Sequence, residues 1–394
     1  MQSGSSYNAS MGGVGVALRS NRFINPVNPA SITERDSLSV MADVSIGLDN
    51  KIFTQSGRSS ASNTFTVRSL MVSMPIWRSS AFYFGMMPYS GTGYSATFQE
   101  EGSIIANTGA IHNVYTGKGG MYKLFVGAAA EFWDRVSIGA EYIRYFGDIQ
   151  KNYSRDIVSS NYLDSNYDYE LSLGGNSGRF GLQYEQPLGK DFALGIGATY
   201  TLSAKLGGTI SESVYSGATQ NNTVVDTLSQ RNPPVRLSDE LAAGISFKWS
   251  DKLVIGFDYT RSDWSNSLFD KVDGLAVNGV GGFSFKPCVA QSFRFGAEFT
   301  PNRSDIRYYM KRVSYRIGAY YKTEGYTIGD NPVTAFGLTL GATLPVFRWH
   351  NGITVAVDLG QRGSPGGGLI RERYVNFTLG INLYDIWFRK PKYE

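Results

Sequence analysis

The feature that most limits what this chain can fold into is a two-residue alternation. Apolar residues alternate with small or polar ones from about residue 38 almost to the last residue. The clearest stretch is Tyr374 to Leu383. Val375, Phe377, Leu379, Ile381 and Leu383 are apolar, and Asn376, Thr378, Gly380 and Asn382 stand between them. On a helix those five apolar side chains would scatter around the axis; on a strand they form one face. The pattern returns at Phe336–Leu344, Ile353–Leu359, Phe293–Phe299, Leu253–Tyr259 and Leu241–Trp249.

Fourteen segments carry the pattern, at roughly 38–48, 64–75, 80–90, 120–131, 135–147, 177–187, 191–204, 239–249, 252–262, 290–300, 311–322, 334–345, 352–362 and 373–384. Most are near ten residues, the length that crosses a bilayer at a tilt of about 45°. Their connections alternate between short and long. Short turns lie near Pro75–Arg78, Trp133–Asp134, Pro187–Lys190, Ser250–Asp251, Pro301–Met310 and Val346–Asn351. Long connections fall at about 91–119, 148–176, 205–238 and 263–289, with shorter ones at 49–63, 323–333 and 363–372. An even number of antiparallel strands with tight turns at one end and long loops at the other is the layout of an outer-membrane barrel. The sequence therefore predicts an all-β, 14-stranded antiparallel transmembrane β-barrel over residues 38–394. Trp77, Trp133, Trp249 and Trp349 fall at or beside short turns, where an aromatic girdle would sit.

Composition agrees and removes other classes. Glycine is 46 of 394 residues, above the usual share of about 7%, and charged residues are 18%, below the usual figure of about 25%. No apolar run reaches about 18 residues, which removes a transmembrane helix but not a barrel. The single cysteine, Cys288, allows no intrachain disulfide and no cysteine-based zinc site, and the two histidines, His112 and His350, make a histidine metal site a poor fit. The sequence points to no cofactor and no metal. Net charge is +4 without a basic run, which argues against nucleic acid. A Ser/His/acid hydrolase needs a histidine beside a serine and an acid. His112 falls in a predicted loop and His350 in a short turn, so the chain reads as a non-enzyme. Met1–Ser6 is polar, with no basic and apolar leader. The expectation is a bacterial outer-membrane protein whose signal peptide has been removed.

If the alternating apolar residues face lipid, their partners face the lumen. Many are glycine: 139, 181, 195, 197, 244, 256, 296, 318, 337, 341 and 380. Glycine in a strand either relieves curvature or marks the close approach of another backbone. Residues 1–37 do not alternate and supply a candidate for such an approach, a glycine-rich segment able to enter the barrel as a plug. The lumen also carries Glu141, Arg179, Glu185, Lys248, Asp258, Arg294, Glu298, Arg316 and Asp358. Such buried charges need partners. They either brace barrel and plug as ion pairs or guide a ligand headgroup. One strand is irregular. Pro88 follows Gly85, Met86 and Met87, and proline donates no ladder hydrogen bond, so this strand ends there or opens a gap between lumen and membrane.

The run Ser10-Met11-Gly12-Gly13-Val14-Gly15-Val16-Ala17-Leu18, followed by Asn28-Pro29-Ala30, resembles the N-terminal hatch of the FadL-type outer-membrane transporters. The resemblance implies a fourteen-stranded barrel with its hatch in the lumen. It implies uptake of long-chain fatty acids or other hydrophobic compounds, released through a kink in the third strand. On this chain the hatch motif is Gly12, Gly13, Gly15, Asn28, Pro29 and Ala30, and the lateral opening is Gly85, Met86, Met87 and Pro88. The segments Asp385–Lys390 and Asp358–Gly363 resemble Bacteroidetes members. In that phylum a FadL-like barrel also serves as a partner of the type IX secretion translocon. Two functions follow: passive uptake of a hydrophobic ligand with release into outer-membrane lipid, or an accessory barrel docking secretion-system proteins.

Overall fold

The computed structural model describes residues 4–36, 38–55, 58–77, 79–101, 110–157, 164–216, 223–272, 285–346, 351–364 and 369–387. Fourteen strands form the wall: β1 (Ser39–Gln55), β2 (Arg58–Trp77), β3 (Ser80–Gly91), β4 (Ala110–Phe132), β5 (Val136–Ile157), β6 (Ser165–Leu188), β7 (Phe192–Thr201), β8 (Glu240–Trp249), β9 (Leu253–Asp263), β10 (Val289–Phe299), β11 (Ser314–Ile328), β12 (Asn331–Pro345), β13 (Gly352–Arg362) and β14 (Arg371–Ile386). Each is antiparallel to the next, and β1 pairs with β14 from Ser39↔Ile386 to Thr54↔Arg371. The result is a closed 14-stranded antiparallel barrel in which every strand pairs with a neighbour on both sides over at least part of its length.

The alternation sorts side chains as the two-residue period requires. Ile138, Phe180, Leu182, Ile196, Ile245, Phe295, Ile317, Leu338 and Leu379 stand exposed on the outside. Their neighbours along the chain point inward and are buried. An apolar belt of this extent is not a water-facing surface; its natural solvent is hydrocarbon. Trp77, Trp133 and Trp249 are exposed at the short-turn end. Trp349 and His350 lie outside the described residues.

The wall is uneven in height. Strands β4, β5 and β6 have 23, 22 and 24 residues, against 10, 10 and 11 for β7, β8 and β9. At ~3.3 Å per residue the tall strands run roughly 75 Å, well past the bilayer. The expected loops at 91–119 and 148–176 are therefore mostly strand. A further strand, Tyr94–Glu101, pairs with the upper part of β4. His112, expected in a loop, lies on β4 opposite Asp156. The 205–238 connection also folds, as Ala204–Ser216 and Thr223–Arg231 pairing with each other and the first with β6. The physical reason is that above the bilayer both faces of a strand meet water, so alternation fades while strand formers such as Tyr115, Tyr153 and Tyr167 persist. At the opposite end the turns are short except one. Residues 300–313, between β10 and β11, include the single-turn helix Tyr309–Arg312.

Candidate functional site

Residues 4–36 lie within the barrel, and nearly all from Ser5 to Thr33 are buried. The segment starts with a short helix, Ser6–Ser10, and carries a 3₁₀ turn, Pro29–Thr33, whose N-cap Asn28 accepts from the Ala30 amide at 3.0 Å. Between them its own side chains tie it together. The Asn25 amide donates to the carbonyls of Gly15 (2.7 Å) and Leu18 (3.0 Å), and the Asn8 amide donates to Val14 at 2.8 Å.

The segment follows the inner wall in reverse strand order, over the inward glycines. A Cβ on Gly380 of β14 would meet Ser6, and one on Gly341 of β12 would come 2.5 Å from Ser10 Cβ. On Gly296 of β10 it would lie 2.5 Å from the Met11 carbonyl, and on Gly256 of β9 2.6 Å from Val14. Val16 and Ala17 cover Gly197 and Gly244, and Asn28 to Ala30 cover Gly181 and Gly139 on β6 and β5. Of the eleven inward glycines only Gly337 touches none of the segment. The approach is reciprocal at Gly12, which has φ +68° and whose Cβ would lie 2.7 Å from the Phe295 carbonyl.

Polar groups of the wall hold this backbone. Asp258 Oδ2 accepts from the amides of Gly15 (2.7 Å) and Val16 (2.9 Å). Thr339 Oγ1 accepts from the Gly12 amide at 2.8 Å, and Gln183 donates to the Val16 carbonyl at 2.8 Å. Arg294 donates to the Gly13 carbonyl at 3.2 Å, and Arg179 to the Pro26 carbonyl at 3.1 Å. Arg316 pairs with Glu298 at 2.7 Å and lies over the stacked rings of Tyr7 and Phe23. The other charges stay within the wall. Glu141 accepts from the Tyr83 hydroxyl and stands 4.0 Å from Arg179. Glu185 pairs with Lys248 at 2.7 Å, and Asp358 accepts from the Tyr320 hydroxyl at 2.9 Å.

On the β1–β6 side the lumen holds an apolar cluster beside buried polar residues such as Asp43 and Ser69. Met41, Met71, Tyr83, Met87, Met121, Phe125, Ile143, Leu171 and Leu173 form one buried cluster. Ile24 and Ile32 of the N-terminal segment join it, as do Leu206, Ile210, Val235 and Leu237 from the connections after β7. Sequence reasoning missed this column, although its signal was present. Ala81-Phe82-Tyr83-Phe84 and Leu124-Phe125-Val126 are continuous apolar runs, which mark strands covered on both faces.

The column stands beside a break in the wall. The β2–β3 ladder runs from Trp77↔Ser80 to Leu70↔Met86 and ends there, while β2 continues outward to Arg58, paired among the described residues only with β1. Beyond Met86, β3 stays on β4, with a register shift between Pro88 and Ser90. Gly85 sits where the two strands are still close, since its Cβ would lie 2.6 Å from the Leu70 carbonyl. Met87 points into the apolar column. At the foot of the break, β2 bulges at Arg68, which pairs with Asp49. Thr66, Arg68, Met87 and Pro88 bound a cavity there of about 20 Å³, room for one water.

Solved structures of this shape are known. The P. putida toluene transporter TodX superposes with a TM-score of 0.67 at 13% identity, over 99% of this chain and 100% of that one. The CymD monoaromatic hydrocarbon channel gives 0.66 at 15%, over 98% of each chain. A Pseudomonas aeruginosa FadL homologue gives 0.58 at 11%, over 98% of this chain and 99% of that one. At such identities the likeness is one of fold, the fold of FadL-type outer-membrane barrels. No curated protein matches by sequence. The family model described as BamG matches residues 1–394, every residue of the sequence, and the chain belongs to the BamG family.

Proposed function

We propose that this protein is an outer-membrane barrel that lets small hydrophobic molecules pass down the apolar column and out sideways between β2 and β3. The observation that carries the reading is the methionine-rich column standing against the interrupted β2–β3 ladder. Methionine side chains are unbranched and repack readily, so Met71, Met87 and Met121 could yield to a guest without a preformed cavity. Residues 1–37 act as the hatch beneath this path, closing the periplasmic way out and leaving the wall as the exit. Gly85, Met86, Met87 and Pro88 form the edge over which the ligand leaves. The names of TodX and CymD, toluene transporter and hydrocarbon channel, favour an apolar guest; a fatty acid fits the same route.

Uptake of radiolabelled toluene and laurate by cells carrying the protein tests this. In a Cys288→Ser background, Thr66→Cys and Ser90→Cys joined by a cleavable cross-linker should stop uptake, and cleavage should restore it. Uptake unaffected by the bridge would remove the lateral route. A second reading, an accessory barrel of a protein-secretion complex, draws on the turn at 300–313, where Ile306 is 98% and Met310 62% exposed. A stoichiometric protein partner after mild-detergent purification from native membranes would favour it.

A further inference from the structure

The long turn at 300–313 does more than join two strands. Between it, Arg22–Phe23 and the ends of β12 and β13 at Pro345, Val346, Asn351 and Gly352 lies a cavity of about 190 Å³. Arg22, Arg303 and Arg312 line it, with Phe23, Val346 and Asn351.

Among the described residues, the charges around this cavity do not balance. Glu298 divides its two oxygens between Arg316 (2.7 Å) and Arg303 (2.8 Å), so one carboxylate serves two guanidinium groups. Asp305 also lines the cavity but is engaged elsewhere. It accepts from the amides of Tyr308 (2.7 Å) and Arg307 (2.9 Å) and stands 3.5 Å from Lys311. Those amide bonds hold its carboxyl below the usual range. Arg22 is 4.0 Å from Asp251, whose side chain is 85% exposed and therefore a weak partner. Arg312 lies over the Tyr309 ring, and its Nε is buried with no hydrogen-bond partner among the described residues. A buried guanidinium N–H without an acceptor is costly, and an oxyanion satisfies it with charge-assisted bonds.

We propose that this cavity is a binding site for an oxyanion of the phosphate class, taken from a phospholipid headgroup or from free phosphate. Its place suits a headgroup. The Tyr309 hydroxyl donates to the Pro345 carbonyl at 3.1 Å, and Tyr315, on the lipid-facing side, donates to the Met310 carbonyl at 3.2 Å. The turn is thus fastened to the rim of the wall, where inner-leaflet headgroups lie. The site is separate from the apolar column and holds whether or not the uptake reading does.

The test uses the purified full chain in detergent and two probes, dihexanoylphosphatidylglycerol below its micelle concentration and inorganic phosphate, read by calorimetry and native mass spectrometry. Saturable binding should weaken about tenfold or more in Arg312→Gln and in Arg22→Gln, roughly one charge-assisted bond each. It should be only partly kept in Arg312→Lys, which restores the charge without the Nε–H, and fully kept in Arg307→Gln, which removes an equal charge beside the cavity. Heat-modifiable migration checks that each barrel is folded. Lipid bound in preference to phosphate identifies a headgroup site; both bound alike identifies a free-anion site. No saturable binding, or equal loss in Arg307→Gln, overturns the proposal.

Discussion

A Cβ placed on Gly197 would overlap the carbonyl oxygen of Val16, and the next atoms it meets are also backbone. Backbone cannot swing aside as the end of a lysine can. Forcing a side chain into such a contact costs about 1–3 kcal/mol, occasionally more. Here the weaker partner yields, because Val16 belongs to a segment with little regular structure and Gly197 to a closed sheet. Gly197→Val should therefore lift the stretch around Val14–Leu18 from the wall and leave the barrel folded. Trypsin should then cut after Arg19 and Arg22, both of which are sheltered in the native protein. Gly93→Ala is the control, since nothing lies within 4 Å of its Cβ. Resistance of Gly197→Val equal to that control would mean the glycine stripe does not set the seat of the segment. Part of this was legible. Inward glycines in strand after strand announced a close backbone, and Asp258 announced a need for donors. Which glycine meets which residue was not legible, because it depends on a segment running against the strand order.

Among the elements, β2 poses a problem that its neighbours do not. Its outer half, from Arg58 to Val67, has β1 on one side and, among the described residues, no strand on the other. In an antiparallel pair every second residue turns its amide to a given side. Half of these amides therefore lack a ladder partner. Hydrocarbon does not tolerate unpaired strand amides, so this stretch must lie above the bilayer core or against another molecule. Hydrogen exchange of the protein in detergent separates the two cases. Roughly half of the amides over 59–67 should exchange within minutes, while those over 70–73, paired with β1 and β3, stay protected far longer. Full protection over 59–67 would show that something covers this edge. The sequence offered only Pro88 as a sign. Proline marks where a ladder cannot continue, but it does not say which neighbour is lost, and here β3 keeps β4 and leaves β2. The tall strands were less legible still, because alternation is a signal of one-sided burial and disappears where a sheet stands in water on both faces.

At the scale of the molecule, the lumen is closed in two materials. Across β5 to β14 the closure is polar and main-chain. Backbone amides and carbonyls of residues 12 to 26 meet Asp258, Thr339, Gln183, Arg294 and Arg179 at 2.7 to 3.2 Å. On the β1 to β6 side an apolar cluster carries much of it, with a few polar contacts among it such as Arg19 to Glu131 at 2.9 Å. These answer differently to disturbance. A hydrogen-bonded segment comes away as a unit, and every buried donor it leaves must then find water. A packed apolar column instead admits a guest of similar character by repacking. On the proposed uptake reading, an apolar ligand passes on one side while ions remain shut out on the other. Ion conductance in planar bilayers tests this division. The intact protein should pass almost no current. Removal of residues 1–33 should raise conductance by at least about tenfold, since a barrel of this many strands is wide enough to hold water once emptied. Leu171→Ala with Met121→Ala, which loosens only the column, should leave ion current near zero. Current through that double variant, or none after the deletion, would place the seal in the column and reverse the roles assigned to the two halves.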